Sequence, residues 1–127
     1  MMKVLATDKA PAAIGPYSQA VRCGDFVYVS GQLPIDPATG AFAGEGIADQ
    51  TRQSLTNIKS ILESEGLSMA NVVKTTVLLK NISDFGAMNE VYATFFTGAC
   101  PARAAFEVAA LPKDALIEIE AVAYCKE

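Results

Sequence analysis

The stretch GIADQTRQSLTNIKSILESEGLSMANVVKTTVLLKNISDFGAMNEVYATFF, Gly46 to Phe96, decides the fold. From about Gly46 to Glu65 the residues Ile47, Thr51, Leu55, Ile58, Ile61 and Leu62 recur at helical spacing, and Gly66 stands where a helix-ending glycine belongs. Val72 to Lys80 follows, rich in β-branched residues, and predicts a buried strand. A second helix is expected from Ser83, whose hydroxyl suits an N-cap, with Asp84 favoured there by the helix dipole. Its buried stripe would be Phe85, Met88, Val91, Tyr92 and Phe95.

Extended segments surround this helix–strand–helix unit. Tyr17 to Arg22 and Phe26 to Ser30 read as a hairpin turning at Cys23-Gly24-Asp25, where Gly24 can take positive φ. Gly31 to Gly44, with Pro34, Pro37 and Gly40, reads as a structured loop. Two last strands are expected at about Ala104 to Ala109 and Leu116 to Tyr124, paired as a hairpin around Pro112-Lys113-Asp114. The whole chain, 1–127, is then one α+β two-layer domain: a mixed β-sheet with both helices on one face. No further helix is available for the other face, so a homo-oligomer is expected to cover it.

Composition narrows the chemistry. The 127 residues carry a net charge of −4, with only 10 Lys and Arg scattered along the chain, which argues against a nucleic-acid partner. Cys23, Cys100 and Cys125 form no CxxC pair, and Met1-Met2-Lys3 leads straight into mixed sequence. No apolar run is long enough for a membrane span, so a cytoplasmic protein is expected. Cys100, beside Pro101, reads as a buried small residue. The absence of histidine removes the commonest general base and transition-metal ligand, leaving carboxylates, Arg, Tyr, Ser, Cys and Lys.

Three blocks now carry a resemblance: AAIGPYSQA (Ala12–Ala20), VSGQLPIDPATG (Val29–Gly40) and PARAAFEVAALPKDALIEIEA (Pro101–Ala121). In that order and spacing, the chain resembles the RidA/YjgF imine deaminases from about Val4 to Ala123. The resemblance implies a homotrimer like the trimeric bacterial chorismate mutases, with ligand sites in the clefts between subunits. It implies hydrolysis of 2-imino and enamine acids, such as 2-iminopropanoate and 2-iminobutanoate, to 2-keto acids and ammonia, with no cofactor and no metal.

It also implies roles for single residues. Arg103 matches the arginine that grips a substrate carboxylate, a task suited to a planar, permanently charged fork, although a plain salt bridge would use Arg too. Glu118 matches the glutamate that positions the attacking water. It shares a strand face with Glu120, which is held in reserve, and the two carboxylates should raise each other's pKa unless the face is fully solvated. Tyr17 matches a tyrosine that bonds ligand or water, and would equally suit a subunit interface. Ser30 and Gly31 match a turn that lets the backbone approach the ligand; Gly31 alone could be an ordinary turn glycine. Asn89 matches an asparagine at the cleft, Phe85 a wall of the pocket or simply core. Ala105 stands where many relatives carry a cysteine, so thiol chemistry is absent there and only backbone contacts remain.

A hairpin of the last two strands would put Arg103 and Glu118 on the order of 10–16 Å apart at 3.3 Å per residue. The two are therefore expected to meet across a subunit boundary. Two other functions fit the same blocks: a non-catalytic trimer that binds keto acids to regulate a partner, and an endoribonuclease or translation inhibitor.

Overall fold

The computed structural model describes residues 1–126. Its strands are β1 (Met2–Leu5), β2 (Ala20–Cys23), β3 (Phe26–Gln32), β4 (Val72–Leu79), β5 (Ala102–Glu107) and β6 (Ile117–Tyr124), with helices α1 (Ile47–Glu63) and α2 (Phe85–Phe95). They form one six-stranded sheet in the order β1-β2-β3-β6-β4-β5, antiparallel except for the parallel pair β4–β5. Both helices lie on the same face, so the expected two-layer α+β arrangement is present.

Helix α1 forms because its apolar residues share one side. Leu55, Ile58, Ile61 and Leu62 are fully buried, each contributing about 1.5–3 kcal/mol from apolar burial. Gly66 adopts φ +76°, and the Gly66 and Leu67 amides donate to the Glu63 and Leu62 carbonyls, the Schellman pattern that closes a helix. The same buried face is polar toward its N-terminus. Gln50 donates to the Gly44 carbonyl and accepts from the Leu116 amide, both at 2.9 Å. Asn57 donates to the carbonyls of Leu33, at 3.2 Å, and Ile35, at 2.9 Å. These bonds satisfy three part-buried loop carbonyls and the Leu116 amide. They fix the segment between Leu33 and Gly44 against α1.

Helix α2 starts differently from expectation. Ile82–Asp84 is a turn of 3-10 helix, and α2 begins at Phe85 with no side-chain cap. Ser83 therefore does not cap it. The turn is held instead by the Ile82 amide, which donates to Glu107 Oε1 at 2.8 Å. Met88, Val91 and Tyr92 are buried, whereas Phe85 and Phe95 only flank the core.

The last two strands do not pair with one another. β5 runs parallel to β4 at the sheet edge (Thr75↔Arg103, Leu78↔Phe106), and β6 lies between β3 and β4 (Leu78↔Glu118). The connection from β5 to β6 therefore crosses over β4 rather than turning back on itself. The expected turn is real but serves that crossover: Lys113 and Asp114 both have positive φ, 56° and 59°, a region that L residues seldom occupy. Lys80 holds Asp114 by an ion pair of 2.8 Å.

Other boundaries shift by a few residues. Tyr17 precedes β2 rather than starting it, and β5 begins at Ala102. A short strand that sequence did not anticipate, β1, pairs with β2. Gly24 turns the β2–β3 hairpin at φ +62°, as expected. Cys100 is exposed, not buried, its sulfur only brushing the Phe96 carbonyl at 3.9 Å. No helix among the described residues is long and apolar enough to cross a membrane.

The sheet face turned away from the helices is uncovered in the single chain. Met2, Val4, Phe26, Tyr28 and Phe106 are exposed on it.

Candidate functional site

Strand β6 alternates strictly. Ile117, Ile119, Ala121 and Ala123 are buried toward the helices, and Glu118 and Glu120 point to the open face. Glu118 is half-buried. Its pKa is raised, first by loss of water around the carboxyl and second by the charge of Glu120. Glu120 acts on Glu118 in the expected direction, but burial is the larger cause.

What surrounds Glu118 is set by an irregularity in β3. Val29 pairs with Ala121 and Gln32 with Ile119, so the Ser30-Gly31 segment carries one extra residue, a bulge. A Cβ on Gly31 would collide with the Glu118 carboxylate. Gly31 is thus more than a turn residue: the space of its missing side chain is filled by the glutamate. Ser30 supports the bulge, its hydroxyl donating to the Ser18 carbonyl at 2.6 Å and its amide to the Gln19 carbonyl at 2.9 Å. Both Ser30 donors are therefore spent within the chain.

Beyond Gly31 opens a cleft of about 570 Å³, walled by Tyr17, Ile14, Pro11, Leu33 and Ile35 among others. Tyr17 is about half exposed there, at 54%. Buried Gln19 pins the far wall: its Oε1 accepts from the Thr7 amide at 2.7 Å, and its Nε2 donates to the Pro11 carbonyl at 2.7 Å. Tyr17, Ser30, Gly31 and Glu118 thus gather in one region.

Arg103, Asn89 and Phe85 gather in another. Arg103 projects from edge strand β5 toward α2, in register with Thr75. Asn89 Oδ1 accepts from Arg103 Nη1 at 2.6 Å. The guanidinium carbon lies 5.3 Å from the Phe85 ring centre and 4.8 Å from that of Tyr92, both within cation–π range. Phe85, Asn89 and Tyr92 stand at i, i+4 and i+7, one face of α2. Arg103 is nevertheless exposed, and no carboxylate pairs with it among the described residues. Its remaining N–H groups form an oriented, unneutralised fork suited to a carboxylate. Ala105 sits two residues on, in register with Val77 and half-buried against the core, with only backbone to offer.

The two groups do not meet within one chain. Arg103 lies on the helix side of the sheet and Glu118 on the open side. The register places them three residues apart along β4 and two strands apart, about 14 Å by strand geometry.

Sequence reading missed Tyr92 and Thr75 as parts of this arrangement. Tyr92 Oη and Thr75 Oγ1 are 2.7 Å apart and buried. In the sequence Tyr92 reads as an ordinary member of the α2 core stripe. Its i+7 spacing from Phe85 was the available signal. Among the described residues, no cluster of His, Cys, Asp and Glu could hold a metal ion.

Comparison with known proteins gives a consistent answer. The family described as endoribonuclease L-PSP matches residues 7–125. A RutC family protein of Pyrococcus horikoshii is 56% identical over 98% of both chains. A rat protein named 2-iminobutanoate/2-iminopropanoate deaminase is 55% identical over 95% of this chain and 88% of its own. The crystal structure of the YjgF gene product of E. coli superposes with a TM-score of 0.94 at 49% identity, over 98% of this chain and 99% of that one. The bulged strand beside Glu118 and the arginine on the sheet edge therefore belong to a member of the endoribonuclease L-PSP family, the YjgF/RidA proteins.

Proposed function

We propose that this chain is a 2-iminobutanoate/2-iminopropanoate deaminase of the cytoplasm, with Arg103 of one subunit and Glu118 of another completing each site of a homotrimer. The observation that carries the reading is Arg103: an exposed guanidinium held by Asn89 and flanked by two rings, with no carboxylate partner among the described residues. Such a group is prepared for a ligand anion. The names of relatives at 55% identity supply the reaction, and the apolar open face supports the oligomer.

The chemistry needs little beyond positioning. The substrate carboxylate pairs with the Arg103 fork, and backbone groups near Gly31 and Ala105 orient the imine. Glu118, as carboxylate, accepts a proton from water while the water oxygen bonds to the imine carbon and the C=N π electrons move to nitrogen. Protonation of that nitrogen gives a carbinolamine. Its hydroxyl then passes a proton by way of Glu118 to the amino nitrogen, the carbonyl forms, the C–N bond breaks and ammonia leaves. A proton carrier whose pKa is raised toward neutrality suits both transfers. Tyr17, at the cleft wall, is placed by this reading to bond the ligand or the water.

Glu118 also favours an enzyme over a keto-acid sensor, because a pure binder of anions gains nothing from a carboxylate at the site. A net charge of −4 and the lack of histidine favour the deaminase over RNA cleavage. The test is the rate of imine loss, trapped with semicarbazide, when the protein is added to a threonine dehydratase reaction. Faster loss with wild type and none with Arg103→Ala is expected. An unchanged rate with wild type would overturn the reading.

A further inference from the structure

The guanidinium of Arg103 is held by one hydrogen bond and two rings, and the rings are not equivalent. Phe85 opens α2, half-buried, its ring anchored by packing alone. Tyr92 is buried, lies closer to the guanidinium, at 4.8 Å, and is fixed at its far end by the 2.7 Å bond to Thr75. Thr75 is itself the register partner of Arg103 across β4–β5 and is 1% exposed. A closed circuit results: strand pairing sets Arg103 beside Thr75, Thr75 sets the Tyr92 ring, and the guanidinium carbon lies over that ring. Tyr92 also packs on Phe96, with ring centres 4.7 Å apart, which leaves it little freedom to tilt.

An exposed arginine otherwise samples many rotamers, and ordering it on binding costs free energy for each ligand captured. Asn89 removes part of that freedom through one N–H. A ring under the planar cation removes more, because stacking fixes the plane of the fork and leaves its in-plane N–H groups free to pair with a carboxylate. Burial raises the Tyr92 pKa, with the Thr75 bond and the Arg103 charge pulling the other way, so the ring presents its neutral face to the cation.

We propose that Tyr92 is a positioning residue, which through its bond to Thr75 and its stacking under Arg103 sets the plane of the carboxylate-binding fork. The proposal rests on Arg103 being the carboxylate-binding group, as in the proposed deaminase, so its test must separate the two. Binding of 2-oxobutanoate, the expected product, is measured by calorimetry on the full-length wild type and on Tyr92→Phe, Tyr92→Leu and Arg103→Ala, alongside KM and kcat for imine hydrolysis.

Tyr92→Leu keeps an apolar side chain in the core but removes the ring, and should weaken 2-oxobutanoate binding roughly ten-fold, in line with loss of a partly desolvated cation–π contact. KM should rise by a similar factor while kcat stays near wild type. Tyr92→Phe keeps the ring and loses only the anchor, so binding should recover to within about three-fold of wild type. Far-UV circular dichroism and subunit assembly should be those of wild type in both. A merely structural Tyr92 would instead lower Tm and the active fraction, reducing kcat with Kd unchanged. Wild-type affinity in Tyr92→Leu, with Arg103→Ala unable to bind, would overturn the positioning role and leave Arg103 standing. No binding by wild type itself would overturn both.

Discussion

Arg103 and Glu118 project from opposite faces of one sheet. Arg103 is in register with Thr75, which faces α2, whereas Glu118 is in register with Leu78 on the side away from the helices. No rotamer change brings two side chains together through a sheet backbone. If one small substrate touches both, two chains must supply them, and the apolar open face offers the means of bringing the chains together.

The arrangement predicts complementation between two dead proteins. Arg103→Ala and Glu118→Ala are each expected to lack imine hydrolysis as pure assemblies. Co-refolded in equal amounts, they should regain activity, since a subunit boundary between one of each leaves a site with both groups intact. Random mixing gives about one such boundary in four. Recovery near that fraction, measured by semicarbazide trapping, is the expected outcome, and none at all would place both groups' action within one chain.

The environment of Glu118 predicts an acid limb in kcat/KM. The carboxylate is the working form, so activity should fall as pH drops through a pKa raised above the ordinary 4.5. Glu120→Gln removes the secondary cause of the shift and should move that limb to lower pH without abolishing it. The same shift bears on stability. A carboxyl that holds its proton more tightly when folded costs stability as pH rises from 4.5 through its folded pKa. Glu118→Gln should therefore raise Tm at neutral pH, lose that advantage in acid, and cut kcat by about 10²–10⁴-fold.

Gly31 separates fold from function. Its missing side chain leaves the space that the Glu118 carboxylate fills, and the colliding atoms belong to the far end of a flexible side chain. Gly31→Ala should therefore displace the carboxylate rather than the backbone, lowering Tm by little. Activity should fall about 10²-fold, the scale of a misplacement near 1 Å. Thermal melting and steady-state rates on one preparation decide this; a large loss of Tm with normal activity per folded molecule would contradict it.

How much of this was legible in the sequence depends on how local each feature is. Leu55, Ile58 and Leu62 mark α1 through spacing alone, and the alternation of Ile117 to Ala121 assigned Glu118 to the correct face. The partner of β5 was not legible, because parallel pairing with β4 joins residues such as Thr75 and Arg103 that are far apart in the chain. The close succession of β5 and β6 suggested a hairpin that the crossover replaces. β1, four residues long at the sheet edge, has no pattern of its own and is defined by pairing with β2. At the site, Gly31 is singled out by the resemblance as a glycine that lets the backbone approach a ligand, and nothing local points to Glu118. The bulge at Gly31 depends on β6 lying alongside, which only the fold supplies.

The first strand offers a last prediction. Glu65, just past α1, accepts from Lys3 of β1 at 3.0 Å and from Arg22 of β2 at 3.1 Å, joining the sheet edge to the helix end. The Lys3 bond is the main reason its pKa is lowered; Arg22 adds to it, and burial opposes. A carboxyl with a lowered folded pKa adds stability above the ordinary 4.5, and that stability is lost as pH falls through the folded value. Glu65→Gln should therefore cost about 0.5–1 kcal/mol at neutral pH, the upper range for exposed ion pairs, with the gap closing in acid. Amide exchange in β1 should quicken in the variant, because β1 pairs with β2 on one side only and the ion pair adds to the packing of Leu5 in holding it to the helix layer. Equal melting of both proteins at neutral pH would mean that the ladder to β2 and the Leu5 packing hold the strand unaided.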